Sequence, residues 1–118
     1  MERLSLSDVI KASLLAGGLL SLGGCGDSSE SESGIVDGPG RETWEENCQV
    51  CHQPGLAGAP KFGDESDWAP RIERGMDALY QSALEGTGEM PPRGGKPELS
   101  TEEVQQAVDF MVENSRPR

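Results

Sequence analysis

Cys48-Gln49-Val50-Cys51-His52 decides how this chain of 118 residues is read. The Cys-x-x-Cys-His pattern carries a specific chemistry: two thiols add across the vinyl groups of a porphyrin, and the adjacent imidazole coordinates the iron. Cysteines three apart at the end of a helix reach the two vinyl positions along one porphyrin edge, and the next residue then swings under the ring. Rival chemistries lack their other parts. A structural zinc site needs four ligands, and the chain beyond residue 40 offers two cysteines and the single histidine. A thioredoxin-type dithiol expects a βαβ setting that is missing here. An isolated histidine is ordinarily a surface or satisfied polar residue, but its place directly after the second cysteine makes His52 a ligand.

Composition points the same way. Leu, Ile, Val and Phe number 22, about 19% of the chain, beside a net charge of -11, which falls on the disordered side of the usual compositional line. Residues 26 to 118 keep only 13 such side chains, roughly 14%, too few for a self-sufficient core. Something other than side chains must fill the centre, and a covalently held porphyrin does so. The acidic balance, with a pI near 4.4, leaves no basic surface for phosphate backbones, so nucleic acid is not an expected partner. Scarce β-branched residues and abundant Gly and Pro disfavour a sheet.

Three segments carry helical signals. Arg41 to Val50 is short, with Gly40 and Trp44 on one face. Arg71 to Leu84 sets Ile72, Met76, Leu79, Tyr80, Ala83 and Leu84 along one stripe, and Gly86 stops it. Ser100-Thr101-Glu102-Glu103 is a capping-box sequence, after which Val104, Ala107, Val108 and Met111 line one side of a helix ending near Asn114. Gly/Pro-rich loops are expected from Gln53 to Pro70 and from Gly86 to Leu99.

The second axial position decides between a carrier and a ligand-binding protein, and Met76, Met90 and Met111 are the candidates. Met76 and Met111 sit on apolar helical stripes, where a thioether is most simply packing. Met90 precedes Pro91 and Pro92, which push it to extended geometry and stiffen the chain, so it is the expected ligand. Its soft, neutral sulfur favours ferrous iron, and with both axial sites filled the iron exchanges single electrons. The alternative is a haem-based ligand binder or sensor with a labile distal methionine.

Upstream, residues 1–24 read as a lipoprotein-type export signal. The apolar run from Ala12 to Leu22 is too short to span a bilayer, and Leu22-Gly23-Gly24-Cys25 resembles the lipobox of bacterial lipoproteins, where cleavage precedes an acylated cysteine. Residues 25–39 then form a lipidated cysteine and a flexible acidic, Ser-rich tether of root-mean-square reach about 20 Å. The folded domain is expected over 40–118.

From Gly40 to about Val112 the chain resembles the class I c-type cytochromes, in particular the cytochrome c5 branch. The resemblance rests on Gly40-x-x-x-Trp44, the haem motif, Gly58-Ala59-Pro60-Lys61-x-Gly63-Asp64, Trp68-Ala69-Pro70-Arg71, Gly75-Met76-Asp77-x-Leu79-Tyr80, Met90-Pro91-Pro92-x-Gly94-Gly95 and Ala107-Val108-Asp109-Phe110-Met111. It implies an all-α class I cytochrome c fold, three main helices and long loops around one haem c attached through Cys48 and Cys51. It also implies first and last helices crossing at Gly40 and Trp44, near Ala107, Phe110 and Met111. The Pro60 carbonyl would accept the second ring N-H of His52, and Trp68 and Arg71 would neighbour the propionates, although loop packing is an equal role for Trp68. Some members have a cysteine pair after the methionine. Here Arg93-Gly94-Gly95-Lys96 stands there, leaving rigidity to Pro91, Pro92 and Pro97.

The expected function is a monohaem electron carrier, not an enzyme, anchored through Cys25 on the periplasmic or extracytoplasmic face of a bacterial membrane. It would pass electrons from a respiratory donor to a terminal acceptor. Arg71, Arg74, Arg93 and Lys96 fall in the part of the chain expected around the haem edge, either as a basic rim that orients docking or as scattered solubilising charges.

Overall fold

A computed structural model describes residues 34–118 of the chain. The export signal, Cys25 and the first part of the tether lie outside the described residues. Within them the architecture is helical: α1 Arg41–Thr43, a π-helical stretch Trp44–Cys48, α2 Gln49–His52, a 3-10 turn Leu56–Gly58, α3 Glu65–Ile72, α4 Met76–Glu85, a second 3-10 turn Pro92–Gly95, and α5 Thr101–Ser115. The only extended pairing among the described residues is a bridge between Thr87 and Met90.

α5 forms where the capping box predicts it. The Ser100 side chain accepts from the Glu103 N–H, and the Glu103 carboxylate accepts from the Ser100 N–H. Its buried residues Val104, Ala107, Val108, Phe110, Met111, Val112 and Ser115 form the largest part of the core. The 41–52 helical segment crosses α5 at Gly40, which has φ 88°, and a Cβ there would lie 2.1 Å from the Gln106 carbonyl oxygen. Only glycine permits both that backbone and that approach. One turn on, Trp44 packs at a tilt against Phe62 with ring centroids 4.2 Å apart and reaches Phe110 at 5.6 Å. The Trp44 indole N–H finds no acceptor in this cluster.

The elements differ from expectation in three places. The helix over 41–52 contains a π-helical turn, in which the Gln49 N–H bonds the Trp44 carbonyl and one extra residue precedes the haem motif. The loop expected over Gln53–Pro70 is interrupted by α3, which Asp64 caps by accepting from the Asp67 N–H; Pro70 sits inside that helix. The single helix expected from Arg71 to Leu84 is two, broken at Gly75, where φ is 89°. At the end of the expected tether, residues 34–36 meet the C-terminal helix and the residues after it. Val36 donates to the Asn114 side chain at 2.6 Å and accepts from it at 3.0 Å, Ile35 packs against the core, and the Arg118 guanidinium donates to the Gly34 carbonyl.

A candidate haem cleft

Cys48, Cys51, His52 and Met90 line one cleft of about 350 Å³. The first three come from the end of the 41–52 segment, and Met90 comes from the loop after α4. Val50, Leu56, Ala59, Pro60 and Pro91 complete largely apolar walls, with Arg71 and Glu89 the charged residues among them. An inner hollow of about 90 Å³ shares His52, Pro60, Arg71, Thr87 and Met90 with the cleft and adds Trp68, Arg74, Leu79, Val108 and Met111. A flat apolar group with two attachment points at one edge fits such a space, in the size range of cofactor sites.

His52 is buried, and its Nδ1–H donates to the Pro60 carbonyl at 2.9 Å. A carbonyl oxygen only accepts, so Nδ1 carries the proton and Nε2 is left as a lone-pair donor for a metal. A second bond, from the Phe62 N–H to the His52 carbonyl at 2.8 Å, ties the 58–62 loop to the same residue. As a free thiol in this fold, Cys48 is pushed up to about 11 by burial and then by the neighbouring Cys51.

The Met90 arm is held by its own turn. Thr87 and Met90 exchange N–H···O bonds of 3.0 and 2.9 Å across Gly88 and Glu89. Gly86, at φ 84°, lets the arm lie against the end of α4, since a Cβ there would meet the Met90 carbonyl oxygen at 2.8 Å. Of the other methionines, Met76 lines a separate surface hollow with Val36, Asp37 and Phe110. Met111 is buried in α5 and reaches only the inner hollow.

The polar and basic residues expected around the haem divide between the hollows and other partners. Trp68 is buried, lines the inner hollow and donates its indole N–H to the Lys61 carbonyl at 2.9 Å, which is the loop-packing role of the two expected for it. Arg71 faces both hollows while donating to the Asp67 carbonyl at 2.5 Å, and Arg74 lines the inner one. Of the four basic residues expected near the haem edge, these two line the hollows. Arg93 turns away to the Leu99 carbonyl and the Thr101 hydroxyl, and Lys96 lines neither hollow. Sequence reasoning missed the exposed apolar pair on the rim, Val50 at 72% and Leu56 at 56% exposure. Val50 is one of the two residues between the cysteines of the haem motif.

Helices wrapped round a cleft that brings Cys-x-x-Cys-His and a methionine together define a small c-type cytochrome. The comparisons agree: residues 37–111 match the family described as cytochrome c oxidase, cbb3-type, subunit III. Cytochrome c-555 of Chlorobaculum thiosulfatiphilum is 40% identical over 81 residues, covering 65% of this chain and 94% of that one. Cytochrome c5 of Ectopseudomonas mendocina is 36% identical over 67 residues, covering 55% and 77%. Among solved structures, one titled as an electron transfer complex of nitrite reductase with cytochrome c matches with TM-score 0.64 at 41% identity, over 69% of this chain and 99% of that one. A mono-heme ferrocytochrome c from Shewanella putrefaciens matches with TM-score 0.56 at 36% identity, over 64% and 94%. The chain belongs to the class I monohaem c-type cytochromes, an electron-carrier family with one covalent haem c, here attached at Cys48 and Cys51.

Proposed function

We propose that this cytochrome is a single-electron carrier in an extracytoplasmic respiratory chain, with iron held between His52 Nε2 and the Met90 sulfur. The observation that carries the reading is that His52 and Met90, 38 positions apart, line the same cleft as both cysteines, whereas Met76 lines another hollow. Haem c, when bound, supplies a one-electron ferric/ferrous couple. The Pro60 carbonyl orients the His52 ring and raises the basicity of Nε2. Met90 supplies a soft neutral donor that favours the reduced state, and its paired turn holds the donor in one place in both oxidation states. Apolar walls exclude water, which further favours the less charged iron. Arg71 and Arg74 supply positive charge for the haem carboxylates.

The carrier is held to the periplasmic or extracytoplasmic face of a bacterial membrane by lipid on Cys25, and its partners are a respiratory donor and a terminal oxidase or reductase. The lipobox-like Leu22-Gly23-Gly24-Cys25 supports the anchor, and the similar cytochrome c found in a complex with nitrite reductase supports that class of acceptor. Carbon monoxide binding by Met90→Ala tests the ligation. The ferrous variant binds the gas readily, while wild type and Met111→Leu do not. Equal binding by wild type and Met90→Ala would favour the haem-based sensor instead.

A further inference from the structure

We infer that Arg93 is a positioning residue: a latch that fastens the far end of the Met90 arm to the start of α5. The arm needs an attachment there. Its near end is fixed by the Thr87–Met90 pair and by contact with Gly86, but beyond Pro91 the chain turns through Pro92–Gly95, whose own backbone bonds are local. Gly94 bonds back to Pro91, and Lys96 back to Arg93.

Arg93 has φ 55° and ψ 31°, the left-handed region that glycine accepts freely and arginine does not, although glycines follow at 94 and 95. The side chain explains the choice. From this backbone its guanidinium donates to the Leu99 carbonyl at 2.7 Å and to the Thr101 hydroxyl at 3.2 Å, one acceptor on each side of the helix-capping Ser100. A planar fork spans two such acceptors as an ammonium does not. Among the described residues no carboxylate lies within ion-pairing distance of Arg93, so its contacts with the protein go to these two oxygens. The latch therefore governs how often the arm swings away from the cleft. This inference rests on the proposed Met90 ligation.

The test is the limiting rate at which added imidazole replaces the methionine in the ferric holoprotein, measured by stopped flow at saturating imidazole. Arg93→Gly, which suits the backbone but removes the fork, speeds replacement by about tenfold or more, and Arg93→Lys recovers only part of the wild-type rate. Thr101→Val, which removes one acceptor, gives about a threefold rise. Ser100→Ala weakens the same end of α5 without touching the fork, and leaves the rate near wild type. An Arg93→Gly rate within about twofold of wild type, or a rise that Ser100→Ala matches, overturns the latch. A ferric wild-type spectrum without thioether ligation overturns the ligand assignment instead, and is read before any variant is made.

Discussion

The two sides of α5 are completed in different ways. On one side the protein closes on itself: the Gly40 backbone lies against Gln106 and Ala107, and Trp44, Phe62 and Phe110 fill the space with aromatic rings. On the other, Val108 and Met111 face a hollow shared with His52, Leu79 and Met90, and loops enclose the cleft beyond it. Side-chain packing defines the first side, while the second takes its final form around a porphyrin.

The largest effect should come from removing what completes the open side. With Cys48 and Cys51 both replaced by Ala and no haem attached, the domain is expected to lose most of its far-ultraviolet helix signal. A stably helical apo form would mean that the closed side suffices alone. Next is an attack on the closed side. Gly40→Val drives a branched side chain into the Gln106 carbonyl and strains a left-handed backbone, and should cost about 3 kcal/mol in denaturant unfolding of the holoprotein. Smaller again is Ser100→Ala, which removes one half of the capping box and should cost about 1 kcal/mol by the same measurement.

The smallest effect concerns the tie between α4 and α5. The Tyr80 hydroxyl donates to Asp109 at 2.5 Å, and this bond, followed by burial, raises the phenol to about 12. The folded value lies above the ordinary one near 10, so the tie contributes fully below pH 10 and is lost as pH rises towards 12. The melting-temperature gap between wild type and Tyr80→Phe should therefore be constant up to about pH 10 and shrink above it. A gap that persists at pH 12 would show that the hydrogen bond is not its source.

What was legible in the sequence follows the same division. α5 could be read from Ser100–Glu103 and the apolar stripe because both are local, and the crossing at Gly40 followed from the family resemblance. The haem motif was legible because its chemistry lies within five consecutive residues. α3 was hidden because Pro70, lying beyond the first turn where a proline costs no backbone bond, looked like the end of a loop, and the Asp64 cap was the overlooked signal. The π-helical turn left no pattern in residue types. The bonds of Trp68 to Lys61, of Arg93 to Leu99 and Thr101, and of Val36 to Asn114 could not be read because their partners are set by tertiary placement.

The central claim is that haem c completes the open side with His52 below it and the Met90 arm above. The absorption spectrum of the full chain, made in an exporting, haem-ligating host, tests it most directly. The account predicts a haem that stays with the polypeptide after denaturation and a low-spin ferric spectrum carrying the thioether-to-iron band, lost in Met90→Ala and kept in Met111→Leu. Haem released on denaturation, or a ferric spectrum that Met90→Ala leaves unchanged, would contradict it.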